Sequence, residues 1–165
     1  MPTTITIEVF GMAAVQRTLD AYIDAATDLT AAWGEVATLV AEMNRATFER
    51  GDAGGWAPLS PAYAAEKART FPGRPILVRT GNLYDSLTTD FDVHEIGPLR
   101  MAVGTQLNQY GRYHQTGRPS RGLPKRSPVV FDEPSKRDVV RIVQRHLHEA
   151  ARATTGVTTL IEGAA

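Results

Sequence analysis

Nine apolar residues, Val15, Leu19, Tyr22, Ala26, Leu29, Trp33, Val36, Val40 and Met43, follow one another at spacings that alternate between four and three. Because an α-helix turns once in about 3.6 residues, that alternation puts all nine on one stripe. At about 1.5 Å per residue the stripe runs roughly 43 Å. The remaining sequence offers only short apolar runs for so long a helix to lie on. The stripe therefore has two readings. It packs on the chain's own small sheet, or part of it covers a neighbouring subunit. Gly34 is the position where such a helix would bend or divide. Asp20, Asp24 and Asp28 recur at every fourth residue on another face, suited to solvent or a basic partner.

The flanking segments read as shorter elements. In "TTITIEVF", Ile5, Ile7 and Val9 alternate with polar residues, the period of a strand with one buried face. "GDAGG" stops the long helix near Arg50. Trp56 follows, an indole that anchors a connection stiffened by Pro58 and Pro61. Pro61 is well placed at the first position of a short helix, "PAYAAEKART", and "FPGRP" breaks it. Thr80 is the expected N-cap of a helix through Leu87, with Leu83 and Leu87 facing inward. "TTDFDVHEI" and "LRMAVGT" alternate around Gly-Pro, a hairpin signature that leaves His94 on an exposed strand position. "LNQYGRYHQTG" makes one or two helical turns stopped by Gly117, and Val129, Val130 and Phe131 form a last short strand. Val139, Ile142, Val143 and Leu147 give the closing helix its inner face. The class is α+β: a small antiparallel sheet against a long N-terminal and a C-terminal helix, with long irregular loops. Residues 1–154 are expected to form one domain and 155–165 a tail.

Function classes narrow by what is missing. Eighteen basic residues balance eighteen acidic ones, so no global field draws the chain to nucleic acid. Without cysteine there are no disulfides and no thiolate chemistry. No stretch nears the roughly 20 apolar residues of a membrane span, and a soluble protein of the cytoplasm is expected. His94, His114, His146 and His148 show no HExxH spacing, and no carboxylate lies within fifteen residues of His114. His146 and His148, two apart, diverge on a helix. Asp85 and Ser86 lack a paired acid nearby, and "GDAGG" lacks the lysine and hydroxyl of a phosphate loop. Catalytic, metal and cofactor sites are all expected to be absent. A hydrolase or nuclease built on His114 is the distant alternative.

Between Tyr110 and Phe131 the charged residues are Arg112, Arg118, Arg121, Lys125 and Arg126, with no acid among them. Such a loop suits phosphates, or an acidic surface such as the aspartate face of a neighbouring copy. The protein partner is the favoured reading.

One ordered set of motifs carries more than any of them alone. "FERGDAGGWAPLSP" follows the long helix, then come Lys67, "ILVRTGNLYDSL", "VGT", "YGRYHQTG" and "LPKRSPVVF". The order, from about Phe48 to Phe131, resembles the virion-morphogenesis (tail-completion) family of tailed phages. The matching positions are Trp56, Pro58, Leu59 and Ser60; Thr80, Gly81 and Leu83; Tyr113, His114, Gln115 and Gly117; Pro124 and Arg126. Where an aromatic residue often follows the arginine, this chain has Ser127-Pro128. The resemblance implies an α+β subunit that forms a ring, commonly sixfold, at the head–tail junction of a virion. Such a ring ends tail-tube growth and offers the head connector a docking surface. Its partners would be its own copies, the tail tube protein and neck proteins, with DNA passing through the lumen and no membrane involved. A head-side neck protein is the near alternative. On this reading "YGRYHQTG" is a fold signature, His114 and Gln115 hydrogen-bond loop backbone, and the basic loop is presented to a partner.

Overall fold

The computed structural model describes residues 11–155. The expected first strand and the tail fall outside that range, apart from Thr155. Two helices replace the single long one: α1 (Met12–Thr27) and α2 (Thr30–Arg50). The break is at Asp28, not Gly34, and its cause is local. Asp28 is extended (φ −135°, ψ 99°), and its Oδ1 accepts the Thr30 N–H at 2.9 Å. That side chain starts a new helix instead of continuing the old one. Leu29 donates its N–H to the carbonyl of Pro98 at 2.8 Å, outside the helix altogether. The apolar period runs unbroken across this joint, which is why periodicity alone gives one helix.

Beyond α2, a wide turn over Gly51–Gly55 brings Trp56 back onto the helix. Phe48 meets the Trp56 ring edge-to-face at 5.5 Å and Tyr84 at 5.2 Å. Phe48, Val78, Leu83 and Leu87 form the buried centre of this cluster, each contributing about 1.5–3 kcal/mol before entropy. α3 (Pro61–Thr70) begins at its proline as expected. α4 (Asn82–Thr88) is short. Its N-cap residue is Gly81, not Thr80, whose hydroxyl accepts the Asn82 N–H only at a long 3.4 Å.

The far end of α4 is closed from α2. Asn44, 2% exposed, donates to the Leu87 carbonyl at 2.8 Å, and Arg45 donates to Thr88 at 3.2 Å. Helix-end carbonyls that would be orphaned are thereby satisfied. β1 (Val93–Gly97) and β2 (Arg100–Gly104) pair antiparallel around Pro98-Leu99, with Ile96 opposite Met101. His94 is exposed. The hairpin lies against α2, whereas the last helix, α6 (Glu133–Thr155), packs on α1 and α2. Asp132 caps α6, accepting the Ser135 N–H at 3.0 Å. The fold is α+β and mostly helical, with one two-stranded sheet among the described residues.

Candidate functional site: a basic cleft beside the signature loop

α5 (Asn108–Thr116) carries the signature, and its buried Gly111 lies against Leu83 of α4; a Cβ there would sit 3.5 Å from Leu83 Cδ1. Gly117 ends α5 at φ 76°, and its Cα side approaches the backbone of Lys125 so closely that a Cβ would be 3.0 Å from the nitrogen. The basic loop between them is closed by a two-way backbone bridge, Arg118 N–H to Leu123 at 2.8 Å and Leu123 N–H to Arg118 at 3.1 Å. The Arg118 guanidinium lies 4.7 Å over the Tyr113 ring. Arg112, Arg121 and Lys125 are exposed.

Arg126 departs from the expectation of a cation offered to a partner. It is 4% exposed, donates Nε to Ala57 at 2.7 Å and Nη2 to Pro58 at 2.8 Å, and so ties the loop after Trp56 to the chain after α5. The expected strand at Val129–Phe131 does not pair with any described strand. Gln115 takes the place of a strand partner, donating Nε2 to the Val129 carbonyl at 2.8 Å and accepting its N–H at 3.2 Å. Gln115 thus bonds loop backbone as expected. The His114 ring does not: its carbonyl accepts the Arg126 N–H at 2.9 Å, while Nδ1 is buried without a hydrogen-bond partner.

His114 instead lines a cleft of about 720 Å³ that also receives Thr80, Gly81 and Leu83. Three distant segments build it: Leu59–Lys67, Leu77–Leu83 and Tyr110–Arg126. Beside Ser60 and Thr80, its polar lining is Lys67, Arg79, His114, Arg126 and the tyrosines Tyr63 and Tyr110, with no aspartate or glutamate among the described residues. Lys67 is buried and donates Nζ to the Pro75 carbonyl. Burial, and then the charge of Arg126, lower the proton affinity of His114, and burial lowers that of Arg126. A neutral imidazole beside the Arg126 guanidinium favours an anion over a cation at this wall. Arg79 and Tyr63 were not marked by the sequence, because each gains meaning only from segments far away in the chain.

The aspartates part company. Asp20 accepts from Gln16 at 2.9 Å, and Asp24 is likewise exposed on α1. Asp28 belongs to the helix joint, where hydrogen bonds from Thr30 hold its carboxyl below the usual range. Another face of α1 is apolar and exposed: Met12, Val15, Leu19 and Ile23 are each more than half accessible. Among the described residues no helix is long and apolar enough to cross a membrane, and no cluster of His, Asp or Glu could hold a metal ion.

No curated protein and no solved structure gives a significant match to the chain. A family model does, over residues 11–159, which takes in every described helix and the cleft. With Trp56 on Phe48, Gln115 on Val129 and Arg126 on the Trp56 loop all inside that span, the chain belongs to the phage virion morphogenesis family.

Proposed function

We propose that the chain is a tail terminator, a tail-completion subunit that assembles with its own copies into a ring, caps the tail tube and lets the head join. Family membership supports a role in building the virion. The observation that carries the ring reading is the apolar row on α1. Met12, Val15, Leu19 and Ile23 recur at spacings of three, four and four, and their exposures are 61%, 53%, 51% and 60%. No residue of this sixteen-residue helix is buried. Full burial of such a side chain is worth about 1.5–3 kcal/mol, so covering the half still accessible is worth about 1 kcal/mol each, and a second subunit is a natural cover. Asp20 and Asp24 flank the row and would set its register against cations of a neighbour. In a ring each such contact is repeated head-to-tail until it closes.

Mass measurement in solution tests the assembly. The wild-type chain should form a closed oligomer, and Leu19→Glu with Ile23→Glu should yield folded monomers. A monomeric wild type would end the ring reading. In the phage, loss of the gene should give tails of irregular length that do not join heads. Normal-length tails already joined to heads would refute the terminator role, and cross-links to the portal instead of the tail tube would move the subunit to the head side.

A further inference from the structure

The cleft beside His114 is lined by Arg79 and Arg126 and by no carboxylate among the described residues. Arg126 sits at 4% exposure, and two of the five N–H donors of a guanidinium go to Ala57 and Pro58. Arg126 also lines the cleft, where no aspartate or glutamate stands among the described lining residues, and a buried cation is costly without an anion or a full set of hydrogen bonds. Arg79, exposed at the same cleft, rests over the Phe71 ring at 5.0 Å. Between these polar groups the wall is apolar, made by Leu59, Leu77 and Leu123. Leu77 is the one non-glycine described residue with positive φ, at 63°. Backbone strain of this kind is held at binding sites more often than elsewhere.

We propose that this cleft docks an acidic-apolar peptide segment of a partner protein. A carboxylate enters against Arg79 and Arg126, and a neighbouring leucine- or phenylalanine-sized side chain lies on the wall of Leu59, Leu77 and Leu123. A duplex does not suit the site. Its phosphates ride on a rigid rod too wide for a 720 Å³ cleft and would meet the exposed Arg112, Arg121 and Lys125 instead. The apolar wall also has no use for a phosphate, whereas a bidentate arginine suits a planar carboxylate. The inference does not depend on ring formation.

A displayed library of random heptapeptides, panned on the full chain and counter-selected on Arg79→Glu, tests it. Enriched peptides should carry Asp or Glu close to Leu, Ile or Phe. Made synthetically, they should lose roughly tenfold or more in affinity for Arg79→Glu, and again when their acid becomes an amide. They should shift the imidazole resonances of His114 and leave those of His94 in place. Because Arg79 is exposed, an unchanged thermal midpoint certifies the variant. Failure to enrich, enrichment without acids, indifference to Arg79→Glu or an unmoved His114 each overturns the assignment. So does a short DNA duplex that displaces the peptide and shifts His114 itself. A peptide that dissociates the chain's own oligomer would hand the site to a second copy and overturn the assignment to a different protein.

Discussion

The side-chain amide of Gln115 is paired with the backbone of Val129 at both ends, Nε2 to the carbonyl at 2.8 Å and Oε1 to the N–H at 3.2 Å. One residue on a helix thereby does what a neighbouring strand would do for an extended segment. Gln115→Glu keeps the acceptor but sets a carboxylate oxygen against the Val129 carbonyl. It should lower stability by about 1–3 kcal/mol, because a half-buried carbonyl loses its donor and gains a repulsive neighbour. Urea unfolding measures this. An unchanged midpoint would mean that the Val129 segment is held by other contacts.

Gly51 and Trp56 compete for one space. A Cβ on Gly51 would overlap the indole ring, with Cδ2, Cε2 and Cε3 all inside contact distance. Gly51→Ala should therefore cost about 1–3 kcal/mol, the usual range for overpacking. In a Trp56→Ala background the same change should cost almost nothing, since the ring is gone. A double-mutant cycle gives the coupling directly. Additive losses would show that Gly51 is needed for its backbone alone.

What the sequence revealed and what it hid follow from the range of the interactions. Pro61 at a helix start, Gly117 at a helix end and the Gly-Pro hairpin are local, and all three are where their neighbours in sequence place them. The helix joint at Asp28 was hidden because Leu29 spends its N–H on Pro98, a partner far along the chain. Val129 resembled a strand residue because an apolar run looks the same whether a strand or a glutamine side chain satisfies it. Arg126 was grouped with its basic neighbours by charge. Its burial depends on the carbonyls of Ala57 and Pro58, which nothing near Arg126 in sequence announces. The ordered motifs survived these errors because they mark contacts between segments, not secondary structure.

The five cations of the basic loop should accordingly behave in two ways. Arg126→Ala removes two charge-assisted hydrogen bonds to loop carbonyls and should destabilise the isolated chain by about 2–4 kcal/mol. Arg121→Ala, at an exposed turn, should stay within about 0.5 kcal/mol of wild type. Thermal or urea unfolding of the two purified variants separates them. Equal midpoints would return Arg126 to the surface with the others.

His114 sets a pH dependence that its neighbours make legible. Burial and the Arg126 charge put its folded-state pKa below the ordinary 6.5. As pH falls through about 6.5 the unfolded chain takes up a proton that the folded chain still refuses, so stability declines with falling pH until the folded pKa is passed. Above about 6.5 the contribution is fully present. Asp28 and Asp132, whose carboxyls hydrogen bonds hold below 3.8, lose their contributions only at lower pH as it falls through their depressed values. Stability measured from about pH 7 to pH 5 therefore isolates the imidazole from these two carboxylates. His114→Gln should flatten that part of the profile while leaving the acid limb in place. A profile with the same slope in both proteins would show that the His114 ring is as easily protonated in the folded chain as in the unfolded one.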